Sequence, residues 1–397
     1  MPAINDFKRV KTAVMYGAGN IGRGFIGQLF GESGYETVFI DVADAVVDAL
    51  NRDRRYPVCV VDNNGKKEVW VENVRAVNGK DRDAAVREIA GCDIMATAVG
   101  VNVFRHILPI VAEGLTERAK LRPGSPLNII ICENMVDVDK YMRAEMEKLL
   151  PAGIRDNLDA HAGFVEASVG RMVPVMTDEM RGDNVLRVYV EPFCSLPVDK
   201  NAFRGEIPAI IGFEPSEPFD FYIRRKLFVH NMGHAAAAYF GAGKGYAFIY
   251  EAAGDPEIAA KIRYAMYQSA SALAAEYGKP VAEVLVYADD LIERFKNRGT
   301  GDTVLRVGRD PLRKLSAGDR LIGAALLCIK RGLPWDGVAA AIKAALKFND
   351  PGDPYAAEMQ NSITQTGADG FLLSHCEKDG LDKAGIYAVL AGLHTHD

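Results

Sequence analysis

No CxxC pair occurs in this sequence. Its six cysteines, Cys59, Cys92, Cys132, Cys194, Cys328 and Cys376, are scattered singly through 397 residues. That spacing offers neither a zinc site nor a disulfide framework, and it fits a reducing, cytoplasmic setting. No apolar run is long enough to span a bilayer, and the N-terminal MPAINDFKRVKTAVMY lacks the hydrophobic core of a secretion signal. Positive charge is not in excess. The formal net charge is −6, so neither nucleic acid nor a membrane surface is expected as a partner, although a local basic cluster can still hold a small anion. Internal repeats and low-complexity tracts are missing as well. What remains is an ordinary globular composition, 49% hydrophobic and 25% charged, on a chain long enough for two cores.

The two halves have different rhythms. TAVMY (12–16), ETVFID (36–41), DIMATAV (93–99) and LNIIICE (127–133) are short apolar runs alternating with helical stretches. CVVDNNGKKEVWVEN reads as a hairpin turning at Asn63-Asn64-Gly65, and LRVYVEPF (186–193) as a late strand. Strand–helix alternation of this kind predicts a parallel sheet covered on both faces. After about residue 200 the period becomes helical, as in PEIAAKIRYAMYQSASALAAEYG and WDGVAAAIKAALKF. The expected architecture is therefore an α/β Rossmann-type domain over 1–200, followed by a mainly α-helical domain over 201–397, with EIPAIIGFEPSEPFD near the join.

YGAGNIGRGFIG follows the first strand and opens a helix, so Gly17, Gly19 and Gly22 form G-x-G-x-x-G in the context that a dinucleotide site needs. Gly17 permits the tight turn, Gly19 lets the main chain approach a pyrophosphate, and Gly22 lets the helix sit close to the sheet. Asp41 ends the second strand, where a carboxylate accepts from adenosine ribose hydroxyls and repels a 2′-phosphate. NAD is thus favoured over NADP. The competing reading of Asp41 is a cap for the next helix.

RKLFVHNMGHAAAAYFG (225–241) has an amphipathic helical pattern, yet it carries Lys226, Asn231 and His234. At about 100° per residue, Asn231 and His234 are roughly 60° apart and Lys226 about 80° from His234, so the three can converge beside one helix. A partly desolvated lysine can take an alcohol proton near neutral pH, an amide can stabilise the developing oxyanion, and a histidine can orient substrate or lysine. His230 reads as structural.

At these residues the chain resembles the polyol-specific long-chain dehydrogenases of the mannitol dehydrogenase family. The likeness is carried by K-x4-N-x2-H, GAGNIGRGFIG, TAVG (97–100), PLNIIICENMV (126–136) and RVGRDPLRKLSAGDRLIG (306–323). The resemblance implies a Rossmann domain and a helical domain with the active site in the cleft between them. It implies metal-independent, NAD-dependent oxidation of D-mannitol 1-phosphate to D-fructose 6-phosphate, a small polyol phosphate being the partner. Lys226 would be the general acid/base, Asn231 the oxyanion donor and His234 the orienting group. Ala18, Asn20 and Ile21 in the glycine turn, with Ala98 and Val99 in TAVG, would join the cofactor residues. Asn134 in CENM would contact substrate, its competing reading being a turn asparagine. Relatives carry an acid just before Arg171, where this chain has Gly170, so the resemblance implies that this hydrogen bond is either absent or supplied by Glu166 or Arg171.

A phosphorylated substrate needs cations, and GRDPLRKL supplies Arg309, Arg313 and Lys314. Arg306 and Arg320 are weaker candidates, expected to be ion-paired within the helical domain. The alternative within oxidoreductases is a mannitol 2-dehydrogenase or a fructuronate or tagaturonate reductase, against which the RVGRDPLRKLSAGDRL block argues. A binding module without turnover would tolerate loss of the triplet, and a methyltransferase has no use for it. A monomer or a small homo-oligomer is expected.

Overall fold

The structure is a computed structural model that describes residues 9–174 and 176–395. The first eight residues, part of the stretch read as lacking a signal core, lie outside the described residues. The chain divides into two compact units, Met1–Phe219 and Asp220–Asp397.

The first unit is built on six parallel strands, in the order β5 (Val74–Asn78), β2 (Glu36–Asp41), β1 (Thr12–Tyr16), β6 (Ile94–Thr97), β7 (Leu127–Ile131) and β8 (Ala162–Glu166). Period-two alternation explains why both faces are covered. Ala13 and Met15 of β1 enter one apolar layer with Phe39, Ala96 and Ile130, while Val14 and Tyr16 enter the other with Val38, Met95 and Ile129. The anticipated hairpin pairs β3 (Arg55–Asp62) with β4 (Gly65–Glu72), and β9 (Val188–Val190) adds to it in parallel. Chain order reverses between β1 and β6, and a doubly wound sheet binds ligands beyond the carboxyl ends of its strands at such a point.

The expected boundary near 200 is corrected to Phe219/Asp220. The Pro- and Gly-rich stretch taken as the join contains a strand, β11 (Phe213–Ser216). It pairs in parallel with β10 (Leu196–Asp199), and Val198 in turn bridges to Ala167 beside β8. Those backbone bonds bring the segment into the first unit.

In the second unit every named element is helical. The helix Pro256–Tyr277 packs against Met232–Gly243, Val281–Phe295, Ile322–Arg331 and Asp336–Leu346. Asp255 starts it by accepting from the Glu257 and Ile258 N–H groups, with Pro256 at the first turn. Alanines 235–238 are buried along the Met232–Gly243 helix, and their small side chains permit close approach. Among the described residues no helix is long and apolar enough to cross a membrane, and no group of three His, Cys, Asp or Glu is placed to hold a metal ion.

Candidate active site

The carboxyl edge of the sheet collects the residues expected to hold the cofactor. Gly17 has φ +102°, and a Cβ there would lie 2.5 Å from the Ala98 carbonyl oxygen. A Cβ on Gly22 would run into the Gly17 carbonyl oxygen, while one on Gly19 would meet nothing within 4 Å. The turn is closed where the helix meets the strand and open where a pyrophosphate would approach, so these residues fit a dinucleotide. The helix begins at Asn20 and Ile21, and its next five residues, Gly22–Ile26, form a π turn closed by the Gly27 N–H on the Gly22 carbonyl. Arg23 is buried beneath it, donating to the Ala18 and Leu186 carbonyls.

Asp41 stands at the end of β2. Its carboxylate accepts from Ala18 N–H at 2.6 Å and from Ala43 N–H at 2.9 Å. Neither competing reading is complete, because the cap residue of the following helix is Ala43 and the carboxylate is tied to the glycine turn itself. Ala98 and Val99 follow β6, and the Ala98 N–H binds the Tyr16 carbonyl at 2.9 Å.

One participant was missed in the sequence. Glu133 is buried just beyond β7, and its two oxygens accept from Val99 N–H at 2.9 Å and Gly100 N–H at 2.8 Å. Burial pushes its carboxyl above the usual range against the pull of those two bonds. Glu133 therefore clamps the Ala98–Val99 turn to the strand end that also carries Asn134, which is exposed in a bend. The available signal was a glutamate two residues beyond a wholly buried strand. Glu166 ends β8 beside Ile131 of β7, at the same edge.

Arg171 is a correction. It is 5% exposed, and its guanidinium donates to the Glu191 carbonyl, the Gly24 carbonyl and Gln28 Oε1 at 2.8–3.0 Å. It braces the first helix from beneath, and its hydrogen bonds are directed into protein rather than toward a substrate.

In the helical unit, the triplet does not lie on a plain α-helix. Lys226–Asn231 is a second π turn between the helices Phe219–Arg225 and Met232–Gly243, with the Met232 N–H on the Leu227 carbonyl five residues back. This changes the angles. On an α-helix, Lys226 and Asn231 would be about 140° apart, whereas a π turn of roughly 80° per residue brings them to about 40°. Lys226 and Asn231 are both half-buried. Lys226 faces His230, as do Arg294, His234 and Arg320. Burial, with the charges of Arg294, Lys226 and Arg320 nearby, holds His230 far below its ordinary value, so it stays neutral. His234 stacks on Phe295 at 5.0 Å between ring centres, and its Nε2 approaches Asp302 Oδ2 at 3.4 Å, an ion-pair approach rather than an aligned hydrogen bond. Burial of Asp302 opposes ionisation, but His234 and Arg306 outweigh it and lower its pKa.

His234 opens onto a cavity of about 400 Å³, lined also by Arg306, Arg309, Arg313, Lys314, Arg320 and Tyr355. The three expected cations are all present, but they are not equivalent. Arg313 is shared between Asp310 at 2.9 Å and Asp319 at 3.5 Å. Lys314 is 4% exposed and donates to the Arg309 carbonyl; burial, with Arg320 and Arg313 nearby, pushes its amine down to about 7. Arg309 is exposed, and among the described residues its guanidinium has no ion-pair partner. The weaker pair is ion-paired as anticipated, Arg306 to Asp302 and Arg320 to Asp319.

Residues 11–212 match the Mannitol dehydrogenase Rossmann domain and residues 219–390 the Mannitol dehydrogenase C-terminal domain. The chain is 40% identical over 360 residues to a mannitol-1-phosphate 5-dehydrogenase of Brevibacillus brevis, covering 91% of this chain and 92% of that one. Among solved structures it resembles a Pseudomonas fluorescens mannitol 2-dehydrogenase in ternary complex with NAD and D-mannitol, with a TM-score of 0.70 at 18% identity over 98% of this chain and 95% of the other. It also resembles a substrate-free D-sorbitol dehydrogenase, with a TM-score of 0.78 at 15% identity over 96% of this chain and 92% of the other. Likeness at such identities speaks for the fold.

Proposed function

The chain belongs to the mannitol dehydrogenase family, and from that premise we propose that it interconverts D-mannitol 1-phosphate and D-fructose 6-phosphate with NAD. The observation that carries this reading is the basic cavity reached by His234, because a polyol without phosphate has no use for the unpaired Arg309. The identity to the Brevibacillus brevis enzyme supports the same substrate.

Gly17, Ala18, Gly19, Asn20, Ile21 and Gly22 would hold the dinucleotide phosphates, Asp41 the adenosine ribose, and Ala98 and Val99 the flank of the site. NAD, when bound, accepts hydride from the carbinol carbon. The chain supplies the rest. Lys226 takes the hydroxyl proton as the carbonyl forms and returns it in reduction. Asn231, brought to the lysine's side by the π turn, donates to the reacting oxygen. His234, held between Phe295 and Asp302, orients the neighbouring hydroxyl. Asn134 and Glu166 stand at the strand ends where further hydroxyls can be read, which leaves Glu166 to replace the acid absent at Gly170. Arg309 and Arg313 hold the phosphate, with Lys314 beneath them. Six scattered cysteines with no CxxC pair, five of them buried, support a cytoplasmic location.

An NADH-consumption assay across fructose 6-phosphate, fructose, fructuronate and tagaturonate tests the assignment. Fructose 6-phosphate should exceed each of the others by at least about 100-fold in kcat/KM. A preference for fructose or for either uronate would replace the proposal with the corresponding relative.

A further inference from the structure

The helix Met232–Gly243 and the segment around Val304 each line two cavities. One end of each meets the basic cavity, through His234 and Arg306. The other meets a larger cavity of about 860 Å³ that the proposed reaction does not use. Its floor is apolar, formed by Tyr239, Phe240, Ile258, Val304 and Phe348. Lys244, Lys261, Lys343 and Lys347 surround it, and no aspartate or glutamate is among the residues that line it. Lys244 and Lys261 lean on Asp255 and Glu257 beside it, whereas Lys347 is exposed and has no ion pair among the described residues. The volume is that of a small-molecule site, and an apolar floor under a cationic rim is complementary to one kind of guest.

We propose that this cavity binds a small amphipathic anion, a ring-sized apolar body bearing a phosphate or carboxylate, at a site separate from that of the substrate. A polyol phosphate lacks the apolar body, and a neutral aromatic lacks the charge. The wall between the two cavities gives the occupant leverage. Tyr239 donates its hydroxyl to the Gly308 carbonyl at 3.0 Å and packs edge-on against Phe348 at 5.2 Å. Phe348 lies so close to Gly308 that a Cβ there would be 2.8 Å from its ring. Gly308 is the residue before Arg309, so a guest resting on Tyr239 and Phe348 bears on the peptide that aims Arg309. This effect on turnover rests on the function proposed above; the binding itself does not.

Titration calorimetry on the full chain tests it with 1-naphthyl phosphate as the probe, compared with 1-naphthol and inorganic phosphate, and repeated under saturating fructose 6-phosphate. The ester should bind at least about tenfold more tightly than either part, with affinity unchanged by the sugar phosphate. Ala344→Trp, which fills the cavity, and Lys347→Glu, which reverses charge at an exposed position, should each weaken the ester at least about tenfold while basal turnover stays within about twofold. Displacement by fructose 6-phosphate would place the probe in the basic cavity and overturn the proposal. So would equal affinity for 1-naphthol, undiminished binding in Lys347→Glu, or a dimer that Lys347→Glu converts to monomer, since a second copy would then cover this face. If the kinetics alone failed to respond to bound ester, the coupling would fall and the binding site would stand.

Discussion

The glycine turn and the Lys226 segment solve similar problems by different means. Each contains a π turn, one closed by Gly27 on Gly22 and the other by Met232 on Leu227. In the glycine turn the proposed working groups are main-chain N–H groups, and the geometry is forced by the absence of side chains at Gly17 and Gly22. In the Lys226 segment the proposed working groups are side chains, and the winding of the helix decides which of them share a face. A site that works through its main chain constrains residue types locally. One that works through helical winding leaves no such mark on its sequence.

That contrast can be broken in measurable ways. Inserting an alanine after Leu227 makes the spacing from Lys226 to Asn231 six residues, which swings Asn231 to about 120° from Lys226 on either α or π winding. The expected loss is about 1000-fold in kcat with the Kd for NADH within about threefold; full activity would detach the angular placement of Asn231 beside Lys226 from catalysis. Gly22→Ala puts a methyl against the Gly17 carbonyl and should cost about 100-fold in kcat/KM for NAD, with kcat at saturating NAD nearly kept. Unchanged cofactor kinetics would mean that the turn is not where the dinucleotide lies. Arg309→Ala should raise KM for fructose 6-phosphate about 20-fold and for fructose less than about twofold, because a bidentate phosphate contact is lost; equal effects would remove the phosphate from Arg309.

The smallest effect is a pH dependence. The Lys314 amine titrates near 7 because burial, Arg320 and Arg313 disfavour its charge. As pH rises from 6 to 8 the basic cavity loses a positive charge, and KM for fructose 6-phosphate should rise about threefold. Lys314→Arg should flatten that rise, and an identical profile in the variant would exclude Lys314 as its source. For stability the sign is opposite. The unfolded chain keeps the Lys314 proton up to its ordinary value of 10.5, so the unfolded state binds more protons across the interval above about 7. Stability contributed by this group therefore rises with pH there.

The parts legible in the sequence are those whose cause is local. β1 and β2 are bounded at Thr12–Tyr16 and Glu36–Asp41 as their apolar runs suggest, and the hairpin turns at Asn63-Asn64-Gly65. β10 and β11 escaped notice because each has four residues, one of them a proline, and each is defined by pairing with the other rather than by pattern. The domain boundary moved for the same reason. Glu133 was passed over because its partners are main-chain groups more than thirty residues away. Arg171 was named only to replace the acid missing at Gly170, while its burial depends on Gln28 and Glu191, which are distant in sequence. Lys226, Asn231 and His234 were identified as a set, but on an assumed α period that the structure replaces with a π turn.

The central claim is that the Lys226 amine carries the proton in the reaction, and Lys226→Ala tests it most directly. Its turnover of fructose 6-phosphate should fall about 1000-fold or more while NADH binding is retained, and added methylamine should restore part of the loss, with the gain rising as pH exposes the free amine. Turnover within about tenfold of the unmodified enzyme, with no response to methylamine, would contradict it.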